Sequence, residues 1–363
     1  MHEKIYFTPG PSKLYQTVPL YINQAIEKGI PSLSHRSDSY MEIQSSTIEA
    51  LRRLLEIPLD YHIFFGGSAT EMMERIIQNT AKEHTLHLVN GAFSQRFYRT
   101  AKSLLKSASK VQVEDGDGFS QFPHSDVKPE TELICLTQCE TSTGAITSAE
   151  LIETIHDEYP EKLIAVDMVS SCPMQSLDIS TVDCAFFSVQ KGFGLPSGLG
   201  VVIVSDRAFN RSMDMIKYTG GFHSFRSWAE YELKRQTPET PNVLGIFILG
   251  KVCQDFLATG LEKIRNEISI KFERIEKVVL EHSMLTFSID NSKFRSQSVI
   301  VLNTQTDAPK ISSFLENNNV IIGMGYGKMK SSQLRIANFP AHTRQDVEML
   351  CDLLIRFNRK FTK

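Results

Sequence analysis

The sequence predicts an α/β fold, with a three-layer large domain around a mainly parallel sheet and a small α+β domain near its C-terminus. Two observations carry this reading. Short apolar runs alternate with helical patterns over roughly the first 210 residues, and several are continuous rather than alternating, as in strands covered on both faces. The pattern then turns helical from Pro241 to about Leu280 before strand-like runs return.

Candidate strands are His62–Phe65, Leu86–Val89, Glu132–Leu136, Leu163–Val166, Ala185–Ser188 and Gly200–Val204. Thr70–Lys82 and Ala149–Tyr159 read as helices between them, which supplies the strand-helix-strand crossovers that build a parallel sheet. Apolar residues then recur at helical spacing at Val243, Ile246, Phe247, Leu249, Val252, Cys253, Phe256 and Leu257, with a break at Gly260. This long stretch carries the chain out of the large domain. Ser298–Leu302 and Gln333–Ala337 read as strands, and Ala308–Asn317 as a helix. The last helix opens with Thr343-Arg-Gln-Asp346, a capping-box pattern, and repeats apolar residues at Val347, Leu350, Leu354 and Phe357. The resulting boundaries are 15–261 for the large domain and 1–14 with 262–363 for the small one.

A chain of 363 residues is long enough for a sizeable core. Its formal net charge of -3 and pI near 6.4 give no electrostatic case for nucleic acid or a membrane surface, which select basic patches. Six cysteines are scattered without a C-x-x-C pair, so neither a disulfide framework nor a metal site is expected. That usage suits a reducing compartment. The N-terminus lacks a basic region followed by an apolar run, and no apolar stretch approaches the roughly 18 residues of a membrane span. The expectation is a cytoplasmic protein acting on small molecules.

Asp167 ends one buried-looking strand and Lys191 follows the next. This is the pair that pyridoxal 5'-phosphate (PLP) chemistry requires: the amine condenses with the cofactor aldehyde, and the carboxylate keeps the pyridine nitrogen protonated so that the ring accepts electrons. A lone Lys after a strand is ordinarily a surface Lys, but other features share these strand ends. Gly66-Gly67-Ser68-Ala69-Thr70 follows a strand and opens a helix, where N–H groups, the helix dipole and two hydroxyls suit a phosphate. A capped tight turn has the same appearance. It is not a Walker loop, because no Gly-Lys-Ser or Gly-Lys-Thr follows. Phe93, in Asn90-Gly-Ala-Phe-Ser94, is placed either to stack on a flat heterocycle or to join the core. Thr141-Ser-Thr143-Gly144 lies past another strand end, the edge at which open α/β sheets bind ligands.

In this order the motifs resemble the class V aminotransferases of the fold type I PLP enzymes, over nearly the whole chain. Phe7-Thr-Pro-Gly-Pro11 is similar to the family's opening motif and Ser188-Val-Gln-Lys191-Gly to its lysine motif. The resemblance is strongest to the branch that exchanges amino groups between phosphoserine and 2-oxoglutarate. It implies that Ser68 and Ala69, with Thr70 beside them, contact the cofactor phosphate and that Phe93 stacks on the ring, where the family usually has Trp. It further implies that Thr143 lies near the ring hydroxyl, that Asp167 partners the pyridine nitrogen, and that Gln190 and Lys191 form the Gln-Lys pair. His35-Arg36 resembles a segment whose basic residues reach the substrate's anionic groups. Arg335 resembles an Arg that pairs with the substrate α-carboxylate, a task for a planar bidentate donor.

Two departures from the family pattern stand out. Glu239-Thr240-Pro241 is similar to an Asn-Thr-Pro whose Thr contacts the phosphate held by the neighbouring subunit, with Glu in place of Asn. The branch also carries a second His-Arg pair shortly before its carboxylate-binding Arg, where this chain has Gly327-Lys328-Met-Lys330-Ser331. Either Lys328 or Lys330 supplies that charge or the substrate lacks a phosphate.

The expected reaction is a two-stage transamination with Lys191 as general base. Glutamate and 2-oxoglutarate form one amino acid and 2-oxo acid pair, and phosphoserine and 3-phosphohydroxypyruvate the other. The alternative substrate set is alanine or serine with glyoxylate or pyruvate. A lyase of the cysteine desulfurase type needs a mobile nucleophilic Cys, and none occurs between 254 and 350. A non-catalytic PLP binder is a further alternative, and the presence of Lys191, Asp167, Arg36 and Arg335 together speaks against decay of the site. The resemblance also implies a homodimer with shared active sites, in which Thr240 and His35-Arg36 serve the neighbouring cofactor.

Overall fold

The computed structural model describes residues 4–104, 107–114, 116–215 and 221–361. Strand β1 (Ile5–Phe7) belongs to a second sheet. The first sheet is built from β2 (His62–Gly66), β3 (His84–Val89), β4 (Ser107–Gln112), β5 (Thr131–Thr137), β6 (Leu163–Asp167), β7 (Cys184–Ser188) and β8 (Gly200–Val204), in the order β2-β8-β7-β6-β5-β3-β4. Its pairings are parallel except the two made by β8. β2 therefore runs in the same direction as β3 to β7, and their carboxyl ends share one edge.

Every residue of β3, β6, β7 and β8 is buried, which is why these sequences are continuous apolar runs. Adjacent residues feed opposite faces. Ile63, Val166, Phe187 and Val201 join one core with the helices Asp38–Leu54 and Val243–Thr259, while Phe64, Ala165, Phe186 and Val202 join another with Ala69–Thr80 and Phe225–Glu232. Ser68, Ser148 and Asn242 cap the helices Ala69–Thr80, Ala149–Glu158 and Val243–Thr259 by accepting from first-turn N–H groups. These are the three layers expected.

At Gly260, with φ +85°, the chain bends by 85° into the helix Leu261–Glu281. The second sheet has the order β1-β11-β12-β10-β9, from β9 (Leu285–Phe287), β10 (Val299–Thr304), β11 (Val320–Met324) and β12 (Gln333–Ala337). β1 pairs with β11 in parallel, and the other pairs are antiparallel. Its core joins Phe7 to Phe272, Ile300, Ile336 and Leu350. The expected capping box is present, with Thr343 N donating to Asp346 Oδ2 (2.8 Å) and Asp346 N to Thr343 Oγ1 (3.1 Å). β4 escapes the sequence reading because it is an edge strand whose residues are all at least partly exposed. Among the described residues no single helix is long and apolar enough to cross a membrane.

Candidate active site

A cavity of about 250 Å³ opens where the carboxyl ends of the first sheet meet the second sheet. Its lining includes Ser68, Ala69 and Thr70 after β2, Phe93 after β3, Thr141 after β5, Asp167 at the end of β6 and Gln190 and Lys191 after β7. Pro9 and Gly10 after β1, Tyr326 after β11 and Arg335 on β12 complete the wall. Larger cavities lie elsewhere, one of about 440 Å³ between Arg53 and Arg265, one of about 330 Å³ beside Lys28 and Glu42, and one of about 310 Å³ beside Lys271. None brings a buried acid and a buried amine together.

Lys191 is held by a tight turn in which Gly194 N donates to the Lys191 carbonyl (2.9 Å) and Leu195 N to that of Val189 (3.1 Å). Gly194 has φ +64°, a conformation suited to glycine. Burial lowers the amine to about 8, against the opposing pull of Asp167, Cys139 and Glu140. Its Nζ donates to Thr141 Oγ1 (2.9 Å) and Ser170 Oγ (2.8 Å) and lies 5.4 Å from the centroid of the Phe93 ring. Gly10 presses on the same side chain. A Cβ added there would stand 2.7 Å from Lys191 Cε.

Burial also raises Asp167, to about 7, although its Oδ1 accepts from Val169 N (2.9 Å) and Lys191 pulls the other way. A carboxylate this enclosed is stabilised by a cationic partner such as a protonated pyridine nitrogen. Phe93 is fixed by Glu140, a fully buried carboxylate that accepts from the N–H groups of Phe93, Ser94 and Ser142. Gly91 is required beside it, since a Cβ there would overlap the Glu140 side chain. Across the cavity the Phe93 ring faces Tyr326 at 5.5 Å. The Arg335 guanidinium lies 5.6 Å from the Tyr326 ring and donates to Met324 O (2.8 Å) and Thr141 O (3.3 Å).

The glycine-rich turn has the expected place but fewer free donors than its sequence suggests. Gly67 N donates to Glu71 Oε2 (2.8 Å), Ala69 N donates to Ser188 Oγ (2.8 Å), and Ser68 Oγ accepts from Glu71 N (3.2 Å). Arg96, exposed on the next helix, reaches the Thr70 hydroxyl at 3.4 Å and adds positive charge beside the turn. A phosphate, a flat ring and an aldehyde carbon thus have matching groups in the turn with Arg96, in Phe93 with Asp167, and in Lys191.

Thr143 is a correction. Its hydroxyl donates to Asn90 O (3.0 Å), within the Glu140–Gly144 turn, and Thr141 lines the cavity instead. Two threonines two residues apart in an irregular turn give the sequence no means of choosing. His35, Arg36 and Thr240 lie outside this chain's cavity. Arg36 Nη1 donates to Gln236 Oε1 (2.7 Å) and Thr237 O (3.0 Å), and Thr240 is exposed on the same segment. Glu239 beside it has an unpartnered buried Oε2, and burial with the nearby charge of Glu71 raises its carboxyl. Lys328 and Lys330 are exposed on the short turn that follows Tyr326. Ser170, Tyr326, Glu140 and Arg96 went unread as site residues, although Ser170 lies in the run that begins at Asp167 and Tyr326 adjoins the turn of the two lysines.

Residues 6–350 match the class V aminotransferase family, and the chain belongs to it. A phosphoserine aminotransferase from Rhodococcus opacus is 27% identical over 354 residues, covering 95% of this chain and 92% of that one. The crystal structure of a phosphoserine aminotransferase from Cytophaga hutchinsonii superposes with a TM-score of 0.94 at 41% identity, covering 98% and 99% of the two chains. An alanine-glyoxylate aminotransferase from Nostoc shares the fold, with a TM-score of 0.83 at 19% identity. The protein is a PLP-dependent aminotransferase of fold type I.

Proposed function

We propose that the chain transfers the amino group of phosphoserine to 2-oxoglutarate, or the reverse, as a step of serine biosynthesis. The observation that carries this reading is the meeting of buried Lys191, buried Asp167 and Arg335 in one cavity of a class V aminotransferase. The phosphoserine aminotransferases from Rhodococcus opacus and Cytophaga hutchinsonii support the substrate. PLP, bound through its aldehyde carbon, supplies an electron-withdrawing ring that stabilises the charge left when the α-proton departs.

The residues divide the rest of the work. Ser68, Ala69 and Thr70 hold the phosphate, and Phe93 covers one ring face. Asp167 keeps a proton on the ring nitrogen, and Gln190 lies beside Lys191. When its amine is free, Lys191 would serve as the base that takes the substrate α-proton and carries it within the cavity. Arg335 pairs with the α-carboxylate and Thr141 takes the place expected of Thr143. Residues 15–261 form the cofactor domain and 1–14 with 262–363 the smaller one, in line with the separate apolar cores of the two sheets.

Two further parts belong to this reading. The protein is a homodimer in which His35, Arg36 and Thr240 serve the partner's cavity, since none of them lines the cavity of its own chain. It works in the cytoplasm, in keeping with six free, buried cysteines.

A specific observation favours a second reading, with alanine or serine and glyoxylate or pyruvate as substrates. Among the described lining residues Arg335 is the one cation besides Lys191, so within a single chain a substrate phosphate has no second charge facing it. The test is to mix the PLP-loaded protein with L-phosphoserine, L-glutamate, L-alanine or L-serine and follow loss of the cofactor's visible absorbance. Conversion by phosphoserine and glutamate is expected. Conversion by alanine or serine without phosphoserine would overturn the substrate assignment.

A further inference from the structure

We propose that Ser170, acting with Thr141, orients the ε-amine of Lys191 by accepting its two N–H bonds, so that its lone pair is turned into the cavity. The inference rests on the reading of Lys191 as the group that captures PLP and moves the proton. It concerns the periods when that amine is free: before cofactor is captured, and while substrate has displaced it.

The geometry is a closed triangle. Lys191 Nζ lies 2.8 Å from Ser170 Oγ and 2.9 Å from Thr141 Oγ1, and the two hydroxyl oxygens lie 2.6 Å apart. A neutral amine has two hydrogens, one lone pair and its bond to Cε, arranged tetrahedrally. With both hydrogens on the hydroxyl oxygens, the remaining direction points away from them. One hydroxyl hydrogen closes the triangle between Thr141 and Ser170, since an O–H can donate while its oxygen accepts. When the amine takes up a proton, the new N–H occupies the former lone-pair direction and the other two bonds stay in place. Uptake and release of the proton therefore need no rotation of Lys191.

The triangle is anchored from both sheets. Ser170 is buried three residues after Asp167, and its carbonyl accepts from Ser298 Oγ at 2.8 Å, immediately before β10. The Thr141 carbonyl accepts from Arg335 on β12. The same Arg that faces the substrate thus steadies one of the two hydroxyl residues. Asp167, Glu140 and Arg335 supply the charges around the amine, leaving orientation to these neutral groups.

The test uses cofactor-free protein and follows the rate of PLP capture by absorbance across pH, for the parent and for Ser170→Ala, Ser170→Cys and Ser170→Thr. Thermal melting establishes that each variant is folded, and peptide mapping after borohydride reduction establishes that Lys191 is the residue captured. In Ser170→Ala the rate on the high-pH plateau should fall about tenfold, the size expected for loss of one orienting hydrogen bond. The pH midpoint should move down, because the lost acceptor favoured the charged form more strongly. Ser170→Cys, whose thiol is a weak acceptor, should behave similarly, whereas Ser170→Thr should return the plateau to within about threefold. A folded Ser170→Ala or Ser170→Cys protein with the parent's plateau and midpoint would overturn the proposal alone. Failure of the parent to capture PLP at Lys191 would overturn the underlying reading as well.

Discussion

Replacing Glu140 with Gln would test whether a carboxylate beneath the cavity holds its walls in place. Oε2 accepts from Phe93 N (3.1 Å), Ser94 N (2.9 Å) and Ser94 Oγ (2.9 Å), and Oε1 from Ser142 N (3.0 Å) and Ser142 Oγ (2.7 Å). Glutamine keeps one acceptor and turns the other into a donor. The milder placement puts the NH2 in the Oε1 position, where the Ser142 hydroxyl can turn but its backbone N–H is left facing another donor. An unpaired buried N–H costs about 1–3 kcal/mol, and the bonds that remain lose their charge assistance. The total is about 3 kcal/mol, or roughly 5 °C in melting temperature for a chain of this length. Because Phe93 and Thr141 are set by the same network, about half of that loss should appear in the bound state, weakening PLP retention about tenfold. Calorimetry of the cofactor-free protein and equilibrium dialysis of PLP measure the two effects. A Glu140→Gln protein that melts within about 1 °C of the parent and holds PLP within about twofold would refute the reasoning.

Four other outcomes are expected. Lys191→Ala should abolish covalent capture of PLP, whereas Asp167→Asn should retain the cofactor and slow its reaction with amino donors by about a hundredfold or more, measured by stopped-flow absorbance. Gly10→Ala places a Cβ 2.7 Å from Lys191 Cε at φ +139°, so it should destabilise the protein by about 1–3 kcal/mol and slow PLP capture, read by chemical denaturation and by absorbance. PLP capture by the parent should rise with pH through about 8 rather than through the ordinary lysine value of 10.5, because the attacking amine must be neutral. Lys271, buried with its Nζ on Phe339 O (2.9 Å) and His342 O (2.8 Å), is likewise lowered to about 8 from 10.5 by burial. Between those values the unfolded chain holds a proton that the native state does not, so stability should rise with pH across the window and be lost as pH falls from 10.5 to 8, by about 3 kcal/mol. Lys271→Met should remove this share of the slope in denaturation series run across that range, leaving the similar share from Lys191.

Legibility in the sequence followed the physical basis of each signal. β6, β7 and β8 could be read because strands buried on both faces must be apolar throughout, and Asp167 and Lys191 could be singled out because one ends such a run and the other follows one. β4 could not, since an edge strand with polar residues is indistinguishable from a loop. The Thr143 expectation failed for a different reason. Position along an irregular turn does not fix direction, and the hydroxyl aimed at Lys191 belongs to Thr141, set by Glu140 packing under Gly91. Arg36 and Thr240 do not line this chain's cavity, which accords with the resemblance that assigns both to a neighbouring site. Tyr326 was passed over because an exposed aromatic after a short strand carries no pattern of its own.

The parallel pairing of β1 with β11, Ile5 against Val320, has a consequence for biosynthesis. The segment that lays Gly10 against Lys191 leaves the ribosome more than three hundred residues before its partner strand. Until then, loop closure opposes docking of the N-terminal segment. The nascent large sheet can form its layers and present a lysine amine, but the wall over that amine waits for β11. Competence to hold PLP in a finished cavity should therefore appear only once β11 has emerged, and ribosome-bound chains stalled before it should carry the amine without its cover.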